Sequence, residues 1–361
     1  MTKSLLLLVA LTACFDEADP PLRTGSSDPA DVMREVNDHW IATHADPGNN
    51  KWARAVYFTG NMAAYDVLGD PAYREYAERW ADNHGWSLEG GTSTRHADNH
   101  TAGQTYLALY RDHPDPVRIA DISRSMSALV DSGDVGDWSW IDAMYMAEPV
   151  LAELGEMSGD DRYTRTMFAM YLDAKVRRGL FDEQAGLWFR DEHYLYPEVT
   201  TQSGKKVFWS RGNGWVIASL VRVLQHLPPE SPYRAEYVAM LQMMATSIAA
   251  AQRPDGFWNV NLADADDYGG PEASGTALFV YAMAWGVREG VLDPVRFLPV
   301  IERGWDALVD HALLEGGGVG YVQGVGEAPQ SAQPVELAST QDFGVGAVLL
   351  AGSEMHLLAT E

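Results

Sequence analysis

Asp142 sits one turn into a segment that is otherwise almost wholly apolar, "WSWIDAMYMAEP", crowded by Trp140, Ile141, Met144, Tyr145 and Met146. Burial penalises the charged form of a carboxyl, so a carboxyl enclosed by such side chains has its pKa raised and is poised to donate a proton near neutrality. A buried aspartate satisfied by hydrogen bonds would leave the same pattern. Asp98 opens the preceding apolar segment, "RHADNHTAGQTYLALY", and reads equally well as a helix N-cap or as a second carboxylate facing Asp142. Two carboxyls on one cavity are the usual equipment for cleaving glycosidic bonds. Arg211 opens a further such segment, "RGNGWVIASL". A cation is unfavourable at a helix N-terminus. Capping therefore does not explain Arg211, which points to a bound carboxylate or a structural ion pair.

Other openings of the same kind carry Asn49, Asn50 and Trp52; His100; Asn213 and Trp215; Glu272, Ser274 and Thr276; Gln341 and Asp342. Asn, Asp, Ser and Thr suit capping there, and Trp140, Trp52 and Trp215 suit either sugar stacking or the core. His96 and His100 have metal-ligand spacing, but the rest of a zinc site is missing, and they read as surface or pocket histidines. Gly316-Gly317-Gly318 lacks the Lys-Ser/Thr of a phosphate loop and reads as a turn bringing backbone near a cavity. No serine stands in a nucleophile-elbow motif.

The elements that position these residues announce themselves by punctuation. A capping residue followed by Pro or Asp recurs at Asp28-Pro29, Asp70-Pro71, Asp115-Pro116, Asp160-Asp161, Ser231-Pro232 and Asp293-Pro294. Each marks a helix start, since the cap accepts an orphan amide and Pro loses nothing at the first helical position. Between them lie six more apolar segments, roughly 50–68, 98–110, 138–157, 211–226, 273–288 and 340–358. Helices apolar nearly all round belong inside and amphipathic ones outside. Twelve helices as six hairpins close into an all-α (α/α)6 barrel; an open solenoid is the alternative. The long loops 179–209, 252–272 and 314–339 favour the barrel, because insertions of that size suit one functional face. In such a ring the inner helices run in parallel, so their N-terminal ends, with Asp98, Asp142 and Arg211, share that face. Strand signals are confined to Trp188-Phe189 and Phe257-Trp258, as local pairings within loops.

The 361 residues are 46% hydrophobic and 21% charged, an ordinary globular balance, with 12 Trp and 16 Tyr. A formal net charge of -25 repels nucleic acid and anionic membrane surfaces, and an anionic substrate would need a local basic pocket. The single cysteine, Cys14, excludes intrachain disulfides. It ends Leu11-Thr12-Ala13-Cys14, behind Lys3 and the apolar run Leu5 to Leu11, in the manner of a bacterial lipoprotein signal whose Cys is lipidated. Residues 1–14 are accordingly expected as a signal peptide, 15–27 as a flexible tether and 28–361 as the catalytic domain. The protein would then sit in the bacterial cell envelope, touching membrane only through its lipid. No other segment is expected to cross a membrane.

Four blocks, Trp140 to Pro149, Phe208 to Leu220, Pro271 to Gly286 and Gln341 to Met355, resemble the glycoside hydrolases of families 105 and 88. These are the unsaturated rhamnogalacturonyl and glucuronyl hydrolases. The blocks follow the family's order and span most of the chain from about residue 30. The resemblance implies an (α/α)6 barrel, no cofactor, and oligosaccharides left by polysaccharide lyases, with a C4=C5 double bond in the terminal uronate. It implies that Asp142 protonates C4 and guides water to C5, and that the resulting hemiketal opens to release the remaining chain. Asp98 matches the family's second carboxylate, and Arg211 and Trp215 its substrate-contacting block. One departure stands out. Many rhamnogalacturonyl hydrolases place His after the Gly-Leu-aromatic-aromatic segment, whereas here Gly186-Leu187-Trp188-Phe189 is followed by Arg190, with His193 three residues on. Substrate preference is therefore open. A hydrolase of saturated uronosides and a non-catalytic glycan-binding lipoprotein are the rival expectations.

Overall fold

The computed structural model describes residues 19–360. Cys14 and the expected signal peptide lie outside the described residues. Six outer helices alternate with six inner ones. The outer set is α1 (Pro29–Thr43), α3 (Pro71–Asn83), α6 (Pro116–Ser132), α8 (Asp161–Leu172), α10 (Arg234–Ala250) and α12 (Pro294–His311). The inner set is α2 (Trp52–Leu68), α4 (Ala97–His100) continued by α5 (Ala102–Asp112), α7 (Asp142–Ser158), α9 (Ser210–His226), α11 (Ala273–Arg288) and α13 (Asp342–Thr360). Each inner helix packs on the next around the ring, and α13 packs on α2 to close it. This is an (α/α)6 barrel, not an open solenoid.

The amino-acid pattern accounts for the two layers. In α11 every residue from Ala273 to Gly286 is buried, whereas α12 buries Phe297, Val300, Ile301, Gly304, Trp305 and Leu308, a stripe at helical spacing. Asp28, Asp70, Asp115, Asp160 and Asp293 each accept an amide of the first turn of the helix they open. Ser231-Pro232 does not. It belongs to a turn, with the Ser231 amide donating to Pro228 O and Arg234 donating to Ser231 O, and α10 starts at Arg234 without a side-chain cap.

Two further expectations need correction, and one helix needs a separate account. The tether does not reach residue 27: the Arg23 amide donates to Leu313 O, its guanidinium pairs with Glu35 at 2.7 Å, and Trp305 donates to Ser27 O. Among the described residues the one sheet pairs Phe181–Asp182 (β1) antiparallel with Leu187–Trp188 (β2), while Phe257-Trp258 lies outside it and the Trp258 amide donates to the Thr276 hydroxyl. Finally, α13 is long and apolar enough to cross a membrane by composition alone. Its hydrophobic window is 67% buried, mostly against α2 and α11, so its apolarity is that of an inner-ring helix.

Candidate functional site

At the N-terminal ends of the inner helices lies a cavity of about 410 Å³. Trp52 from α2, Asp98 from α4, Asp142 and Met146 from α7, and Arg211 from α9 converge on it, with Trp140, Arg190 and the loop carrying Glu327 and Ser331 completing the wall. A larger cavity, about 470 Å³, lies at the other end of the ring, among Asp66, Arg111, His226 and Arg288. There the inner helices present their C-terminal ends and opposite charges pair, as in Arg111–Glu153 at 3.0 Å and Arg288–Glu354 at 2.9 Å. The cavity at the N-terminal ends is where a carboxyl with an unpartnered oxygen, Asp142, stands beside an arginine with an unpartnered Nε, Arg190.

Asp142 is the first residue of α7, and 9% of it is exposed. Its Oδ2 has no hydrogen-bond partner. Burial pushes its carboxyl up to about 6, against the pull of Arg190 and Arg211 and with a further push from Asp98. The helix dipole at that position favours the anion, but desolvation outweighs it. Asp98 is also raised, again by burial, with His96 and Arg190 opposing. One buried carboxyl whose titration is moved up toward neutrality, beside a second carboxyl on the neighbouring inner helix, is an arrangement suited to proton donation.

Arg190 reaches Asp142 because its backbone is pinned to the start of α7. The Ile141 amide donates to Arg190 O, and Trp140 and Asp191 form a bridge. The Arg190 Nε then lies 3.5 Å from Asp142 Oδ2, too long for a hydrogen bond, while Nη1 donates to Asp191 at 2.6 Å. Burial opposes the charge of Arg190, but Asp142 and Asp191 outweigh it and hold its pKa above the ordinary value.

Arg211 has partners that its sequence context does not suggest. Its Nη1 donates to Gln323 O at 2.6 Å and its Nη2 to Gly324 O at 2.8 Å, with the guanidinium over the rings of Trp209 and Phe343. Burial lowers its pKa to about 10, with Glu272 and Asp142 opposing. Gln323 in turn donates from Nε2 to Ala328, Pro329 and Ser331 carbonyls and accepts from Trp209 Nε1. Arg211 and Gln323 together fix the loop that carries Glu327 over the cavity, where Glu327 lies 3.7 Å from Arg190.

Of the residues singled out from the sequence, Trp52, Asp98, Trp140, Asp142, Arg190 and Arg211 line this cavity. Others do not. Trp188 is fully buried against Tyr171 and Phe181, and Trp215 is fully buried behind Trp52, against Tyr145 and Phe343. Ser274 donates its hydroxyl to Glu272 Oε1 at 2.6 Å and Thr276 donates to Glu272 O, so both organise the start of α11. His193 is exposed on a 3-10 turn, edge-on to Tyr194. The Gly316–Gly318 turn does bring backbone close to a neighbour, but that neighbour is α1, at Glu35 and His39. His96 lies tilted against Trp140 and 3.8 Å from Asp98, while His100 is buried on Ser125 and Thr94 O, with burial lowering its pKa to about 4. Among the described residues no group of three or more His, Cys, Asp or Glu is placed to hold a metal ion. Glu327, Ser331, Asp191 and Gln323 escaped the sequence reading. Their only signal was the length of the loops that hold them.

Residues 30–359 match the Glycosyl Hydrolase Family 88 model. The unsaturated 3S-rhamnoglycuronyl hydrolase of Alteromonas sp. (strain LOR) is 31% identical over 326 residues, covering 84% of this chain and 77% of its own. The solved glycosyl hydrolase family 88 protein from Bacteroides vulgatus is 34% identical with a TM-score of 0.87, over 92% of this chain and 100% of that one. A solved chain named a polysaccharide lyase is 36% identical with a TM-score of 0.88, over 93% and 99% respectively.

Proposed function

The chain belongs to glycosyl hydrolase family 88, and from that premise we propose that it removes a terminal 4,5-unsaturated uronic acid from lyase-generated oligosaccharides. The observation that carries the proposal is the Asp142 carboxyl, buried yet open to the cavity, with one unpartnered oxygen and a pKa near 6. An unsaturated uronide is a vinyl ether, and its reactive step is proton delivery to carbon. Asp142 gives its proton to C4, and the positive charge that develops across C5 and the ring oxygen is shared with the negative field of Asp98. Water then bonds through oxygen to C5 and returns a proton to Asp142, so that one water has been added across the double bond. The resulting hemiketal opens by breaking the bond between C5 and the ring oxygen, leaving a ketone at C5 and a hemiacetal at C1. That hemiacetal expels the remaining chain as an alcohol. Acid, carboxylate and water suffice for every step.

Supplied with lyase digests, the protein is expected to erase the absorbance of the conjugated uronate while releasing the shortened chain. Asp142→Asn is expected to cut this rate by about 10²- to 10⁴-fold with an unchanged thermal melt. A lyase would do the opposite, creating the absorbance from a saturated polymer. Turnover of saturated uronosides, or binding without turnover, would also refute the proposal. The proposal extends to the N-terminus, with residues 1–14 as a signal and a lipidated Cys14 anchoring the catalytic domain in the cell envelope. Leu11-Thr12-Ala13-Cys14 supports it. Cys14→Ser should move the protein from the membrane fraction to the soluble one.

A further inference from the structure

We infer that the Arg190 guanidinium, rather than that of Arg211, seats the carboxylate that an unsaturated uronide carries on C5. The inference rests on the proposed function and assigns its anion subsite. A net charge of -25 makes a local cation necessary for any anionic substrate. Two arginines line the cavity. Arg211 also has an unpartnered Nε, but both its Nη groups donate to the Gln323 and Gly324 carbonyls, Trp209 and Phe343 cover its faces, and it is 1% exposed. Its role is to position the loop. Arg190 engages Asp191 through Nη1 alone. Its Nε is buried without a hydrogen-bond partner, and its Nη2 donates to no described residue, so one side edge of the fork is free to take a carboxylate through two parallel bonds.

The position of that edge fits the substrate. The carboxylate carbon and C4 are both bonded to C5, which puts them about 2.5 Å apart. A proton donor aimed at C4 and a cation holding the carboxylate must therefore be near neighbours. Arg190 Nε and Asp142 Oδ2 are 3.5 Å apart, and both lack other partners. Asp142 and Arg190 are thus arranged as the two ends of one recognition unit for C4, C5 and the carboxylate.

The arrangement links binding to protonation. The groups acting on Asp142 are Arg190 from the segment after β2, Arg211 from α9, and Asp98 from α4 with His96 beside it; Asp191 and Glu327 act through Arg190. A substrate carboxylate on Arg190 neutralises the cation that favours the Asp142 anion and brings a negative charge beside it. Both effects raise the affinity of Asp142 for its proton. The free enzyme's acid, near 6, becomes a better proton holder once the uronate is seated, so the donor is loaded by the substrate it will protonate.

Two ligands and two variants test this: an unsaturated uronyl disaccharide and its methyl ester, against Arg190→Gln and Arg190→Lys. Arg190→Gln is expected to weaken binding of the acid by about 10- to 100-fold, the range for a lost charge-assisted bond, while changing ester binding by less than about 3-fold. Arg190→Lys should recover part of the loss. In wild-type enzyme the alkaline limb of kcat should lie at higher pH than that of kcat/KM. In Arg190→Gln the kcat/KM limb should move to higher pH although the rate falls, which a merely structural role would not produce. Equal losses for acid and ester, or an unmoved limb, would overturn the inference. Binding titrations in an Asp142→Asn background read the same contrast without turnover. If wild type binds the acid through Arg190 but converts neither ligand, the proposed reaction fails and this carboxylate seat stands.

Discussion

Asp142 and Glu148 lie six residues apart on α7, and burial raises both carboxyls, to about 6 and about 8 respectively. Only Asp142 meets a cavity. Glu148 is enclosed, accepting hydrogen bonds from Ser219 at 2.7 Å and Tyr237 at 3.3 Å. The difference separates chemistry from stability. Between its ordinary value of 4.5 and about 8, native Glu148 keeps a proton that the unfolded chain has lost. Stability therefore falls as pH rises through that window and is greatest, as far as this group is concerned, below it. Glu148→Gln should flatten the fall, so denaturant midpoints at pH 5 and pH 8 should lie closer together than in wild type; an unchanged gap would show that the carboxyl is ionised in the fold. The same distinction sets what was readable in the sequence. Asp142 and Arg211 stood out because each is anomalous for its place on an apolar helix, whereas Asp98 read equally well as a cap. The cause of Arg211's placement did not stand out, since its partner Gln323 is 112 residues away in a loop with no periodicity. Trp215, Trp188, Ser274 and Thr276 were misplaced because capping and core packing select the same residue types as sugar binding.

Helix α7 carries Pro149 in its interior, where proline removes the amide that would have bonded the Tyr145 carbonyl. The neighbouring inner helix fills the gap: Gln104 on α5 donates from Nε2 to Tyr145 O at 2.8 Å. An element that holds the proton donor at its first residue is thus completed by a side chain from the element that follows Asp98. Gln104→Leu leaves a buried carbonyl without a partner and should cost about 1–3 kcal/mol of stability. Urea unfolding checks the magnitude, and a loss of less than about 0.5 kcal/mol would show that the carbonyl finds another donor. Helix boundaries were legible where Asp and Pro fall together, because a side-chain cap and a fixed φ specify the same start. Ser231-Pro232 carries the same signature, but the Ser231 hydroxyl accepts the Tyr233 amide in a turn ahead of the helix, and α10 starts only at Arg234. The inner helices were legible from apolarity alone. That criterion could not tell α13 from a membrane span, which only its burial decides.

At the scale of the molecule, the ring depends on a contact between the first and last inner helices. Arg54 and Asp342, 288 residues apart, pair at 2.7 Å, and Trp52 stacks on Phe343 with centroids 5.1 Å apart. Behind them the backbones of α2 and α13 touch directly. A Cβ on Gly60 would collide with Gly346 O, and one on Gly346 with Val56 O, so glycine at both positions is what lets the ring shut. Joining such distant segments carries a loop-closure cost that close packing must offset. Gly346→Ala forces the two helices apart and should destabilise by about 1–3 kcal/mol, the usual cost of overpacking. The kinetic effect should be lopsided. Trp52 forms the cavity wall on the α2 side, whereas Asp142 and Arg190 are anchored to α7. KM for the oligosaccharide should therefore rise by more than kcat falls, and the alkaline limb set by Asp142 should stay in place. If the substitution left stability and KM unchanged, the seam would not be what holds the cavity to its width. If instead the pH limb moved, the ring would be transmitting strain across its diameter to the proton donor.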